Sequence, residues 1–277
     1  MYSINCRGRL LNIQEPLVMG IINATPDSFY EGHLNSGMDG IVSLAAKMIG
    51  DGADILDVGG LSTRPGSKPV SLEEETGRVV PVIRAILKAH PGAVISVDTY
   101  NSAVAAAAVE AGAVIVNDIS GGHLDEDMLI TVSRVDVPYI CMHMKGTPET
   151  MQQDPVYEDV VKEVLDFFIA RIEVCTRLGI RDVIVDPGFG FGKTIEHNFQ
   201  LLKRLEVFQI LGKPVLVGLS RKGSIYKTLD TTAAGALNGT TVLNSIALMN
   251  GASILRVHDV KEAKEAVTLY SAYKKAP

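Results

Sequence analysis

The chain has 277 residues, 47% hydrophobic and 21% charged, which suits one large or two small folded domains. No apolar run approaches the roughly 18 residues of a membrane span, and Met1 to Pro16 lacks the continuous apolar core of a signal peptide. A formal net charge of −6 argues against a general nucleic-acid binder, while leaving anionic small substrates open. Cys6, Cys141 and Cys175 fit neither a zinc spacing nor a disulfide framework, so a reduced, cytoplasmic protein is expected.

In chain order, residues 1–16 read as a lead-in, a short hairpin closing one end of the fold. A strand at 17–22 follows, then a turn-rich loop, Asn23-Ala-Thr-Pro-Asp-Ser-Phe-Tyr-Glu-Gly32, long for a strand-to-helix connection. Helical spacing covers 39–49, a strand 54–58, and a second long loop 59–69. Ser71 and Glu74 form a capping box for a helix to about 88. Strand patterns at 94–98, 114–118, 139–143, 182–186, 215–220 and 254–259 alternate with helices at 101–110, about 125–134, 157–178, 195–205, 222–229 with 236–250, and 261–273. Eight such units in about 250 residues predict a single (β/α)₈ barrel with an N-terminal hairpin, one domain over 1–277.

Each strand ends on a polar group. Asn23, Asp57, Asp98, Asn117, His143, Asp186, Lys222, Arg256 and His258 are therefore expected at one mouth, the C-terminal rim where such barrels carry their sites. The densest stretch is Asp182 to Thr194. There a β-branched run ends on Asp186, and Pro187 with Gly188, Gly190 and Gly192 prevents the strand from continuing. Gly192-Lys-Thr194 is no phosphate loop, because the required first glycine falls on Pro187. The glycine triple also misses the dinucleotide fingerprint, whose last glycine would be Lys193.

Carboxylates and an amide in an enclosed site match a flat heterocycle edged with donors and acceptors, which singles out Asp98, Asn117 and Asp186. For Asp57 and Asp118 a structural role is favoured. His143 reads equally as a ligand group or as a satisfied core histidine. Arg221, Lys222, Arg256 and His258 form a cationic half suited to a diphosphate, with surface ion-pairing discounted because cations inside apolar strands are uncommon.

With these residues laid out, the chain resembles the dihydropteroate synthase family over nearly its whole length. The resemblance rests on Asn23-Ala-Thr-Pro-Asp-Ser-Phe29, Gly59-Gly-Leu-Ser-Thr-Arg-Pro-Gly66, Asp98-Thr, Asn117-Asp-Ile119, Met142-His-Met-Lys-Gly-Thr-Pro148, Asp186-Pro-Gly-Phe-Gly-Phe191, Ser220-Arg-Lys222 and Arg256-Val-His258, in the family's order. It implies a folate-pathway transferase joining p-aminobenzoate to 6-hydroxymethyl-7,8-dihydropterin pyrophosphate. By matching position, Asp98, Asn117, Ile119, Met142, Asp186, Phe191, Gly218 and Lys222 hold the pterin, and Asn23, Thr63, Arg256 and His258 engage the pyrophosphate. Phe29, Thr63, Arg64, Pro65, Lys222 and Gly223 shape the p-aminobenzoate pocket. The resemblance also implies Asp186, Lys222 and Arg256 as catalytic, a Mg²⁺ held through Asn23, sulfonamides as inhibitors, and a homodimer.

Departures from the family pattern gather on the aminobenzoate side. They are Tyr30-Glu-Gly-His33, Leu61 in place of a frequent glutamate, and Gly223 where a serine is common. These suggest that the aminobenzoate carboxylate is held by the helix start after Lys222 and by Ser224. Two other readings compete: a pterin-dependent methyltransferase, and a pterin-binding protein without catalysis. The first needs neither the Asn23 position nor the Arg-Val-His pair. The second is disfavoured by the retained Thr-Pro-Asp-Ser-Phe and Ser-Thr-Arg-Pro-Gly loops.

Overall fold

The computed structural model describes residues 2–24, 37–61, 70–151 and 153–277. Thr25, Asp27, Phe29 and Glu31 of the first long loop, and Thr63, Arg64 and Pro65 of the second, lie outside the described residues.

Strands β1 (Tyr2–Cys6) and β2 (Arg9–Ile13) pair antiparallel from Tyr2 against Ile13 to Cys6 against Arg9. Their two-residue turn puts both Arg7 (φ 53°) and Gly8 (φ 90°) in the left-handed region, the geometry that matches strand twist in tight hairpins. The alternating part then runs β3 (Leu17–Asn23), α1 (Met38–Gly50), β4 (Ile55–Gly59), α2 (Leu72–Ala89), β5 (Ile95–Asp98), α3 (Ser102–Glu110), β6 (Ile115–Asp118) and α4 (Met128–Val135). It continues with β7 (Tyr139–Met142), α5 (Val160–Arg177), β8 (Val183–Asp186), α6 (Ile195–Lys203), β9 (Leu216–Val217), α7 (Gly223–Tyr226), α8 (Leu237–Met249), β10 (Ile254–Val257) and α9 (Val260–Lys275).

The parallel ladder has the order β8-β7-β6-β5-β4-β3-β10-β9. A parallel bridge between Val185 and Val215, with the Val185 N–H donating to the Pro214 carbonyl at 3.0 Å, joins its two ends into a barrel. The larger apolar core fills the layer between strands and helices. A second cluster fills the lower barrel: Met19, Ile55, Ile115, Ile140, Ile184, Leu216 and Ile254 meet Ile4, Cys6 and Ile13 of the hairpin, which closes that end as expected. No helix among the described residues is long and apolar enough to cross a membrane.

Element bounds differ from the sequence reading in three places. α4 starts at Met128 because Asp125 is occupied as an acceptor, taking the amides of Ser102 and Asp127 at 2.7 and 3.0 Å. α6 ends at Lys203, and the chain continues as a 3-10 stretch, Leu205–Leu211. Of the strand expected at 215–220 only Leu216–Val217 joins the ladder.

Candidate functional site

Successive side chains on a strand point to opposite faces, so a step of two residues stays on the barrel interior. Such a step carries each strand from apolar to polar: Ile55 to Asp57, Val94 through Ser96 to Asp98, Ile115 to Asn117, Ile184 to Asp186, and Ile254 to Arg256. The parallel register sets Asp57 beside Ser96 and Asp98 beside Asn117, so the polar layer is continuous across β4, β5 and β6.

Arg256 anchors one side of this layer. Its Nε donates to Asp57 Oδ2 at 2.6 Å and its Nη2 to Asp98 Oδ2 at 2.5 Å, while Asn117 Nδ2 donates to the same Asp57 oxygen at 2.9 Å. Asp57 is fully buried, and its Oδ1 has no hydrogen-bond partner among the described residues. Burial opposes the Arg256 charge, yet Asp57 and Asp98 outweigh it and hold the guanidinium even further above its usual range. Burial likewise pushes the Asp98 carboxyl upward, against the pull of Arg256.

Asp186 and Lys222 form the other side. Asp186 is buried, and its Oδ1 accepts from the Gly188 amide at 2.8 Å. Burial raises its carboxyl, opposed first by Lys222 and then by the Gly188 amide and Arg256. The Lys222 ammonium donates to the Phe189 carbonyl and stands 4.7 Å from the centre of the Phe191 ring. Burial lowers it to about 8, with Asp186 resisting that fall. Gly218 sits between the two sides: a methyl group there would lie 3.8 Å from Lys222 Nζ and 3.9 Å from Arg256 Cβ. Asp186 and Arg256 therefore open onto one rim.

The remaining expected residues fall around that rim. Met142 ends β7 buried, its Cγ 3.2 Å from where a methyl group on Gly188 would stand, and Ile119 is buried just beyond β6. His258 is exposed past the end of β10, with Nδ1 3.0 Å from Ser220 Oγ. Asn23 is exposed at the end of β3, beside Gly59 in the ladder, and Gly223 opens α7. Among the described residues no cluster of three or more His, Cys, Asp or Glu is placed to hold a metal ion.

Several assignments need revision. Asp57 is no mere loop cap: it ties Arg256 to Asn117, and its parity with Ile55 and Gly59 was the available signal. Asp118 does carry a structural load, accepting from Ser120, Gly122 and Tyr139. Arg221 is an ion-pairing residue after all, bidentate to Asp259 at 2.9 Å and donating to the Ala233 and Ala234 carbonyls. His143 is a packed histidine, pushed down to about 2 by burial and by neighbouring Lys193. α7 is a single turn with Ser224 buried in it, so the helix macrodipole expected after Lys222 is too short to act. Sequence reading also missed Glu75, whose buried carboxylate accepts from Thr99 and Asn101 at 2.6 and 2.5 Å and fixes the loop leaving Asp98.

Comparison with known proteins follows from this geometry. The family model described as pterin binding enzyme matches residues 19–258. The chain belongs to that family. Its relatives there are dihydropteroate synthases: the Escherichia coli K12 enzyme is 44% identical, over 96% of this chain and 94% of that one. The Yersinia pestis dihydropteroate synthase, solved with a sulfonamide drug complex, superposes with a TM-score of 0.94 at 39% identity, covering 99% of this chain and 100% of the other. The Xanthomonas albilineans enzyme in complex with 7,8-dihydropteroate superposes at 0.90 with 37% identity over the full length of both chains. The pterin-binding family and its synthases thus account for the fold, the rim and a transferase activity in folate biosynthesis.

Proposed function

We propose that this chain condenses 6-hydroxymethyl-7,8-dihydropterin pyrophosphate with p-aminobenzoate, giving 7,8-dihydropteroate and pyrophosphate, and that residues 1–277 act as one catalytic unit. The observation that carries the reading is the joined rim, in which Asp186, Lys222, Gly218, Arg256, Asp98, Asp57 and Asn117 follow one another without a break. One stretch offers carboxylates and an amide, the other a buried guanidinium, matching a flat ring at one end of a substrate and an anion at the other.

Asp98, Asn117, Asp186 and Lys222 hold the pterin edge, with Met142, Ile119, Phe191 and Gly218 against its faces. Arg256 and His258, with Thr63 from the second long loop, take the diphosphate. The bond from the pterin methylene to the diphosphate oxygen breaks first, its electron pair leaving with the diphosphate. Asp186 stabilises the positive charge that spreads into the ring, and Arg256 stabilises the departing anion. The amine of p-aminobenzoate then forms the new C–N bond and loses a proton. Phe29, Thr63, Arg64, Pro65 and Gly223 shape its pocket beside Lys222, where sulfonamides would compete.

A lone amide oxygen at Asn23 suits a Mg²⁺ that keeps waters and takes its other ligands from a substrate diphosphate, rather than a protein-built cage. Bound there, the ion would neutralise leaving-group charge. Three free, buried cysteines fit a reducing cytoplasm. Exposed Val242, Ile246 and Met249, recurring on one stripe of α8, support a homodimer, which sedimentation would detect.

The deciding experiment mixes both substrates with Mg²⁺ and follows pyrophosphate release coupled to dihydropteroate formation. Pyrophosphate in step with dihydropteroate is expected. A protein that binds pterin yet releases none would overturn the reading, and methyl transfer from methyltetrahydrofolate would replace it.

A further inference from the structure

Lys193, in the Gly-Lys-Thr stretch that fails as a phosphate loop, reaches into the protein. It is only 3% exposed. Its Nζ lies 2.9 Å from His143 Nδ1, 3.0 Å from the Gly188 carbonyl, 2.9 Å from the Phe191 carbonyl and 3.3 Å from the His143 carbonyl. These acceptors come from two segments, the chain leaving β7 and the glycine loop leaving β8. The segments are pressed together. Gly188 (φ 69°) and Gly192 (φ 63°) are left-handed, and methyl groups on them would fall 2.0 Å from the His143 carbonyl oxygen and 2.3 Å from that of Lys145. Such an approach crowds carbonyl oxygens together away from water, which is costly without donors. One ammonium supplies them.

The neutral His143 ring is itself held, edge-on to Phe167 at 5.0 Å and 6.2 Å from Tyr157, whose hydroxyl donates to the Gly192 carbonyl at 2.8 Å. From the other side Asn198 of α6 accepts the Gly190 amide at 2.7 Å. The front of the same loop orients the ring-binding groups. The Gly188 amide holds Asp186, the Phe189 carbonyl holds Lys222, and the Phe191 ring lies under the Lys222 ammonium. The Gly188 and Phe191 that Lys193 holds from behind thus orient Asp186 and Lys222 in front.

We propose that Lys193, seated on His143, is a positioning residue that clamps the glycine loop from behind and so fixes the ring-binding half of the rim, without serving the anion-binding half around Arg256. The assignment rests on the pterin reading of Asp186 and Lys222 given above. Its partners all lie on that side, and a misplacement of about 1 Å in a positioned group can cost on the order of a hundredfold in rate.

The test uses the full chain as wild type, Lys193→Met and His143→Phe. Calorimetry measures binding of 6-hydroxymethylpterin for one half and inorganic pyrophosphate with Mg²⁺ for the other, alongside kcat and both Michaelis constants. For Lys193→Met, pterin binding should weaken about tenfold or more, with pyrophosphate binding within about twofold of wild type. Equal weakening of both, or unchanged pterin binding, overturns the proposal. Should Lys193→Met fail to fold, His143→Phe keeps the aromatic contacts and removes only the Nδ1 acceptor. It should show the same selective weakening to a lesser degree, and a uniform or absent effect overturns the proposal equally. Wild type that binds 6-hydroxymethylpterin but makes no dihydropteroate would refute the proposed activity and leave the clamp standing.

Discussion

The two ends of the barrel are built from the same strands and obey opposite rules. At the lower end Ile55, Ile115, Ile184 and Ile254 meet the hairpin in an apolar plug, where every buried methylene adds stability. Two residues further along the same strands, Asp57, Asn117, Asp186 and Arg256 occupy equally enclosed positions. There burial works against the charged forms: Asp98 and Asp186 are pushed up, Lys222 is pushed down, and Asp57 Oδ1 is left without a partner. A barrel of this kind stores stability at one end and withholds it at the other, so that groups at the rim stay undersatisfied until a ligand arrives.

Substitutions at the two ends should therefore separate activity from stability. The largest effect is expected for Asp186→Asn, which keeps the shape and removes the charge. Turnover in the pyrophosphate-release assay should fall on the order of a hundredfold or more. Its carboxyl is raised by burial, so the ionised form costs the folded state stability at pH values above its folded pKa. The variant should consequently be at least as stable to urea as wild type at neutral pH. Near-normal turnover, or a large stability loss, would erase the contrast between the ends.

Ile115→Ala makes the opposite change at the plug. Removing that buried side chain should cost about 2–5 kcal/mol in urea unfolding, with both Michaelis constants of the folded protein unchanged. A shift in either constant would mean that the apolar layer supports the rim more closely than a simple plug does.

The sequence made the barrel and its rim legible for a definite reason. Strands buried on both faces read as short apolar runs, and the residue that breaks each run, such as Asp98 or Asp186, is displayed at its end. Partnership is not displayed that way. Asp57 and Asp186 look alike as strand-end carboxylates, yet one is locked to Arg256 and Asn117 and the other faces Lys222. Arg221 and Lys222 are adjacent, but the positive φ of Arg221 turns it to Asp259 while Lys222 stays at the rim. Lys193 was hidden by the motif it superficially resembles. Contacts across 50 or 199 residues of chain, as for Lys193 with His143 or Arg256 with Asp57, leave no local pattern.

A smaller effect tests the withheld stability at Lys222. Because burial lowers this ammonium to about 8, it is charged below that pH and loses its proton above it. The value of kcat/KM for the pterin substrate should decline above about pH 8. Lys222→Arg, whose guanidinium stays protonated throughout that range, should lower the plateau but abolish the alkaline limb. An unchanged limb would assign it to another group.

The smallest effect concerns Gly223, where the rim meets the aminobenzoate side. A methyl group there would lie 3.6 Å from the Tyr226 hydroxyl, an ordinary contact, so serine fits without moving the backbone. The one-turn α7 supplies no macrodipole to a carboxylate. A new hydroxyl beside Lys222 would thus add a donor where helix geometry offers little. One such hydrogen bond is worth roughly 0.5–1 kcal/mol net, or about threefold in binding. Gly223→Ser should lower the Michaelis constant for p-aminobenzoate by about that factor and strengthen sulfonamide inhibition in parallel, leaving kcat and the constant for the pterin substrate alone. Identical inhibition and identical Michaelis constants would place the aminobenzoate carboxylate away from residue 223, and the departure from serine at this position would then have no bearing on the second substrate.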